Sequence, residues 1–217
     1  MDRKRKLIIL AIFSAMIITL GIVGYHYWYN TTYYVSTEDA QVAGDLIQVT
    51  PKISGNLLEF NVQEGSSVEK NEIMGRVDPT GIDDSKIDTS LIRAPISGLI
   101  VRKQAAVGEF YDAGTELAVM IDPSQIYINA NIEETKIQKI QIGQIVDISI
   151  DQFSRKKFEG TVEFVGKASN SAFSLLPSSS DGSFTKVVQK VPVKIKFKKI
   201  DVNLLPGTNA TVAIHIK

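Results

Sequence analysis

Cysteine is absent from the 217 residues, which excludes disulfides, thiol nucleophiles and thiolate metal sites together. Histidine is nearly absent. His26 and His215 each stand alone, so a histidine metal cluster or a catalytic triad is hard to build. Excess charge of either sign is missing as well, with 24 Lys and Arg against 24 Asp and Glu. A net charge of zero gives no case for nucleic acid, and no aromatic and basic residues interleave as an RNA-binding sheet requires. What remains is 44% hydrophobic and 22% charged, an ordinary globular composition with room for one or two small domains beside any membrane segment.

Charge is also missing from Leu7 to Gly24, 18 residues that as a helix span about 27 Å, one bilayer core. Arg3, Lys4, Arg5 and Lys6 precede this run, and Tyr25, Tyr27, Trp28 and Tyr29 follow it, as amphipathic rings do at the headgroup level. A cleavable signal peptide also begins with charge and an apolar stretch. Here the run exceeds the usual signal core and ends in aromatics instead of a small-x-small site. The expectation is a cytoplasmic tail at 1–6, a single-pass transmembrane anchor at 7–29, and the remainder outside the cell membrane.

Residues 51–123 carry one pattern written twice. The first copy has Pro51, Ile53-Ser54-Gly55, Glu64-Gly65 and Val77-Asp78-Pro79; the second has Pro95-Ile96-Ser97-Gly98, Val107-Gly108 and Ile121-Asp122-Pro123. Ile-Ser-Gly and the later Gly recur at an offset of 43 residues and the closing Asp-Pro at 44, while Asn71 stands where the second copy has Gly114. Asn and Gly both accept left-handed turn positions. A unit of about 30 residues cannot bury its own apolar face, so the copies are predicted to pack on each other as short strands. Leu57, Leu58, Phe60, Val62 and Val68, with Leu99, Val101, Val107 and Phe110, are the expected apolar contributors.

Two interlocked half-motifs of this kind resemble the lipoyl/biotinyl-carrier sandwich, whose modified lysine sits at the turn joining the halves. The joining segment, 79–91, holds one lysine, Lys86, without the flanking Met or Ala of carrier motifs. It reads as a solvated surface lysine, and no cofactor is expected.

Before the doubled motif, 30–46 is a β-prone lead-in ending at the turn Gly44-Asp45. After it the chain alternates. Ile126, Ile128, Ala130 and Ile132 share a face, and Glu133-Glu134 then open a short helix carrying Ile137 and Ile140, with Gly143 as its stop. Val146, Ile148 and Ile150, the run from Phe158 to Val165, the set Val191, Val193, Ile195 and Phe197, and the stretch from Thr211 to Ile216 continue as strands. Pro192 should lie at an edge or a bulge. The fold class expected is mainly β: an N-terminal transmembrane helix, a lipoyl-like sandwich at 47–123, and an antiparallel β-barrel at 124–217 with one short helix, joined by the lead-in strand. Between Lys167 and Thr185 lies a long serine-rich loop containing Phe173, Leu175 and Leu176, an apolar cluster suited to partner contact or to covering the barrel end.

The anchor, Thr37-Glu38-Asp39-Ala40-Gln41-Val42, both half-motifs, Ile132-Glu133-Glu134-Thr135 and Ile142-Gly143-Gln144 together resemble the HlyD/EmrA-type membrane fusion proteins. The most specific match is Ser171-Ala172-Phe173-Ser174-Leu175-Leu176-Pro177 followed by Phe184-Thr185-Lys186-Val187-Val188-Gln189-Lys190-Val191-Pro192-Val193. The resemblance implies a non-enzymatic adaptor of an export system, partnered by a cytoplasmic-membrane transporter of major-facilitator type and by further copies of itself. Relatives in double-membrane bacteria carry a long helical hairpin between the halves that reaches an outer-membrane duct. Thirteen residues at 79–91, split into two helical arms, reach about 9 Å each, which makes an outer-membrane duct doubtful. Two rival classes are a biotin or lipoyl carrier, which requires a modified Lys86, and a surface or cell-wall binding module, which would be indifferent to loss of a transporter.

Overall fold

The computed structural model describes residues 3–79, 84–153, 155–169, 188–202 and 204–217, with side chains from residue 12 onward except at 84–86. Helix α1 (Arg3–Tyr33) has no amphipathic face, and its side chains from residue 12 to 31 are exposed. At 31 residues it is roughly 46 Å long. Thr19 and Thr31 donate their hydroxyls to carbonyls four residues back, Ala15 and Tyr27, at 2.9 Å each, which satisfies these polar groups within the helix as a lipid environment demands.

The chain divides into two compact units. One, residues 42–127 with 200–207, is a sandwich of two four-stranded sheets. Its strands are β2 (Leu46–Val49), β3 (Gly55–Phe60), β4 (Ser67–Val68), β5 (Ile73–Val77), β6 (Leu91–Arg93), β7 (Gly98–Lys103), β8 (Phe110–Tyr111) and β9 (Ala118–Ile121). The sheets run β2-β9-β7-β4 and β6-β5-β3-β8, so the 43-residue offset converts one sheet into the other. Each copy completes its partner. Ser54 accepts the Ala113 N–H and Ser97 the Lys70 N–H, both at 2.9 Å. Asn71 N–H donates to Ala94 O at 2.8 Å and Gly114 N–H to Pro51 O at 3.0 Å, while Gly65 N–H reaches Ile100 O and Gly108 N–H reaches Leu57 O, both at 2.8 Å. These backbone hydrogen bonds and the shared core tie each copy to the other.

The turns carry the backbone geometry that the residue types indicated. Gly65 (φ 82°), Gly108 (φ 94°), Gly114 (φ 85°) and Asn71 (φ 69°) are all left-handed. The glycine of Ile-Ser-Gly differs: Gly55 and Gly98 open strands without positive φ, and a Cβ on Gly98 would collide with the backbone carbonyl of Ile121. Close approach of strands, not turn chemistry, requires that residue.

The buried set departs from the expected one in both copies. Leu57, Phe60, Val62 and Val68 are buried, but Leu58, Val107 and Phe110 are exposed, and Leu99 and Val101 are half-buried while Ile100 between them is fully buried. Offsetting Leu57 by 43 gives Ile100, and the same offset pairs Val49 with Ile92, Val62 with Ala105, Met74 with Leu117 and Val77 with Met120, all buried. The repeat period therefore marks the inward face of β7, where three consecutive apolar residues gave no alternation to read.

The other unit, residues 1–41, 128–199 and 208–217, joins α1 to a closed six-stranded barrel. Its strands are β1 (Tyr34–Ala43), β10 (Tyr127–Glu133), β11 (Ile145–Ile150), β12 (Lys157–Val165), β13 (Lys190–Phe197) and β14 (Asn209–His215), ordered β1-β10-β13-β12-β11-β14. Inward faces follow the expected alternation: Ile128, Ala130 and Ile132; Val146, Ile148 and Ile150; Val191, Val193, Ile195 and Phe197; Val212 and Ile214. The lead-in is part of the barrel, β1 pairing antiparallel with β14. A register shift between Thr37 and Ala40 moves its buried positions from Val35 to Ala40 and Val42, which explains the weak alternation there. A closed barrel has no edge for Pro192. Its register with β12 stops at Val165↔Val193, and Pro192 lies just beyond, its carbonyl accepting Gly166 N–H at 2.8 Å. The expected short helix is one turn, α2 (Glu134–Ile137), and Ile140 is buried beyond its end.

Candidate membrane-proximal site

Phe173, Leu175 and Leu176, the partner contact expected from the sequence, lie outside the described residues. Lys86 falls in a 3₁₀ helix, Asp84–Ser90, but its side chain is outside the described set. Among the described residues no group of three or more His, Asp or Glu could hold a metal.

What the structure assembles instead is the junction of membrane helix and barrel. Tyr33 ends α1 and Tyr34 begins β1 with no residue between, and Ile216 N–H donates to Tyr33 O at 3.0 Å, tying the chain beyond β14 to the helix foot. An aromatic ladder runs through the joint: Tyr25 with Tyr29 at 6.3 Å, Tyr29 with Tyr33 at 4.6 Å, and Tyr34 edge-on to His215 at 4.7 Å. His215 Nε2 lies 2.8 Å from Asp147 Oδ2, bridging β14 and β11. Rings at helical spacing line the helix foot, and the helix enters a strand directly.

A second polar cluster fastens the strand that emerges after residues 170–187. Lys190, the first residue of β13, donates to Asp39 Oδ2 at 2.6 Å, and Asn131 Nδ2 donates to Asp39 Oδ1 at 3.0 Å. The Lys190 hydrogen bond, with help from Asn131, holds the Asp39 carboxyl below the usual carboxylate range. Glu134 N–H donates to Gln189 O at 2.9 Å, so α2 grips the same point. Asp39 sits in the bulge of β1, where the register shift turns it toward β10 and β13. The Thr37–Val42 motif carries no local signal of this role, since the partners of Asp39 are 92 and 151 residues away.

Residues 45–123 match the barrel-sandwich hybrid domain of RND membrane fusion proteins, and residues 125–215 match the AAEA-like beta-barrel domain. YhbJ of Bacillus subtilis (strain 168), whose name assigns it to an efflux system, is 38% identical over 215 residues, covering 99% of this chain and 94% of that protein. The multidrug export protein EmrA of Haemophilus influenzae is 35% identical over 130 residues, 58% of this chain but only 33% of EmrA. The chain thus matches about a third of that longer relative. Among solved structures, the periplasmic adaptor protein EmrA aligns over 84% of this chain and 98% of its own at a TM-score of 0.57 and 15% identity. The membrane fusion protein Spr0693 of Streptococcus pneumoniae R6 aligns over 85% and 99% at 0.63 and 12% identity. Both share the fold.

Proposed function

The chain belongs to the HlyD/EmrA-type membrane fusion protein family, the non-catalytic adaptors of efflux and secretion systems, and on that premise we propose that it serves a major-facilitator exporter in the cytoplasmic membrane. It assembles beside the transporter in several copies and shapes the exit path. The observation that carries this reading is the joint at Tyr33 and Tyr34: a membrane helix fused to a barrel without a linker transmits position from the bilayer to the extracytoplasmic domain. Relatives named for multidrug export and for resistance to colistin or fatty acids support small toxic compounds as the cargo class. The 13 residues at 79–91 support a route that ends without an outer-membrane duct.

The exporter contact is proposed at the serine-rich loop. Phe173, Leu175 and Leu176 each contribute on the order of 1 to 2 kcal/mol when desolvated by a partner. Full-length protein purified in mild detergent should bring a transporter with it, and changing all three residues to Ser should weaken that copurification while the strand signal in circular dichroism persists. Lost strand signal identifies the three as core. Copurification that survives in a folded triple variant moves the contact to α1 or β1. Absence of any transporter from the wild-type preparation refutes the adaptor reading.

A further inference from the structure

We propose that the barrel rim at the foot of α1 binds the phosphate of anionic membrane lipids, with Lys139 and Lys217 as the cationic groups and the exposed Ile142 on the same loop as an apolar contact. A bilayer with its headgroups is about 40 to 45 Å thick, and α1 at roughly 46 Å spans it, so Tyr33 emerges at the outer headgroup surface. Because β1 starts at Tyr34 and Ile216 is bonded to Tyr33, the rim has no slack with which to leave that surface.

Two concavities flank the helix foot at this level. Asn30, Thr31, Lys136 and Lys139 are among the residues lining one; Thr31, Thr32, Gln138, Lys139, Gln144 and Lys217 are among those lining the other. Thr31 and Lys139 belong to both. The loop that supplies Lys139 is fixed in shape: Gln144 Nε2 donates to Lys139 O at 3.1 Å, Gln144 Oε1 accepts Gln141 N–H at 2.9 Å, and Gly143 at φ 91° donates to Val162 O at 2.8 Å. At its turn stands Ile142, which at 69% is the most exposed large apolar side chain described outside α1. A cation and a bare isoleucine three residues apart on one hydrogen-bonded loop suit the interfacial layer of a membrane.

Among the described residues at the helix foot, Lys136 pairs with Glu133 at 2.9 Å and His215 with Asp147 at 2.8 Å, Glu134 is exposed at the start of α2, and the Lys217 ammonium lies 5.9 Å over the Tyr33 ring. Lys139 and Lys217 are therefore the cations that a lipid phosphate would meet. The inference rests on the placement of α1 and not on the export reading, so the two fail separately.

The test uses full-length protein in mixed micelles offering phosphatidylglycerol and phosphatidylcholine, with retained lipid counted by native mass spectrometry. Wild type should retain the anionic lipid preferentially, and Lys139→Gln with Lys217→Gln should lower that preference about fivefold per lysine, roughly 25-fold for the pair. Ile142→Ser should lower retention of both lipids alike and leave the preference unchanged. Equal retention of the two lipids by wild type, or an unchanged preference in the double variant, overturns the proposal. So does protection of residues 138–144 from hydrogen exchange by inorganic phosphate alone, which marks a free-anion site. Protection that requires the exporter and ignores lipid composition also overturns it, because the rim is then a protein-docking face.

Discussion

Gly65 and Gly108 offer a clean measurement of backbone strain. Both hold positive φ, 82° and 94°, and a Cβ built at either position meets no atom within 4 Å. A substitution there costs conformational energy without a clash. A β-branched residue in the left-handed region costs roughly 1 to 3 kcal/mol, so Gly65→Val and Gly108→Val should each destabilise the sandwich by about that amount. For a unit of this size 1 kcal/mol shifts the midpoint by about 4 to 8 °C, well within reach of thermal circular dichroism on the full chain in detergent. The chain supplies its own control. Asn71 occupies φ 69° where its counterpart Gly114 has φ 85°, so Gly65→Asn should cost well under the valine variant. Unchanged midpoints for both valine variants, or equal losses for Asn and Val, refute the assignment of strain to these turns.

Ile100→Ala should cost about 2 to 5 kcal/mol in chemical denaturation, whereas Val101→Ala, on the half-buried face of the same strand, should cost under about 1.5. Asp39→Asn should weaken the barrel only where the carboxylate is charged. With its folded pKa depressed, Asp39 contributes fully above the ordinary carboxylate range, and the contribution disappears as pH falls through the lowered folded value. The gap between wild type and variant should therefore be present at neutral pH, below about 1 kcal/mol for so exposed a pair, and close in acid. Intact mass of protein from its native cell should equal the chain mass after allowing for loss of Met1; a biotinyl or lipoyl addition on Lys86 would restore the carrier reading.

Alternation exposed the barrel because each strand pairs one wet and one dry face, so Ile128, Ala130 and Ile132 could be read directly. The bulge in β1 is different in kind. It shifts burial from Val35 to Ala40 in response to partners on β10 and β13, and nothing local in Tyr34–Ala43 encodes those partners. In the sandwich the duplication was legible, yet β7 has Leu99, Ile100 and Val101 in sequence, where hydrophobicity alone leaves two phases open. The offset of 43 resolves them, since Leu57 is buried and its counterpart is Ile100. At the junction, the basic cluster, apolar run and aromatics located the anchor. That the helix continues to Tyr33 and meets β1 without a linker has no local marker, and the Ile216 hydrogen bond at that point joins residues at opposite ends of the chain.

The segment between the copies can be tested by shortening it. β5 and β6, which flank it, are antiparallel neighbours, with Arg76 opposite Leu91, so the segment leaves and re-enters the sandwich at one place. Its length can then vary without disturbing either sheet. Ser90 is the exception: it is fully buried and donates to Ile87 O at 2.7 Å, and Arg93 reaches Asp88 at 2.8 Å, so residues 87–90 should be kept. Replacing 80–86 by three or four Gly and Ser residues shortens the connection by about a third, which changes closure entropy by only about 0.3 kcal/mol. The melting midpoint should move by no more than a few degrees. A loss above about 2 kcal/mol would show that the segment is part of the core and that the sandwich does not close without it. The same variant separates two functional readings. Retained export with retained stability is the outcome expected of an adaptor that needs no distant duct, and lost export from a stable variant would make this segment, short as it is, a contact surface in its own right.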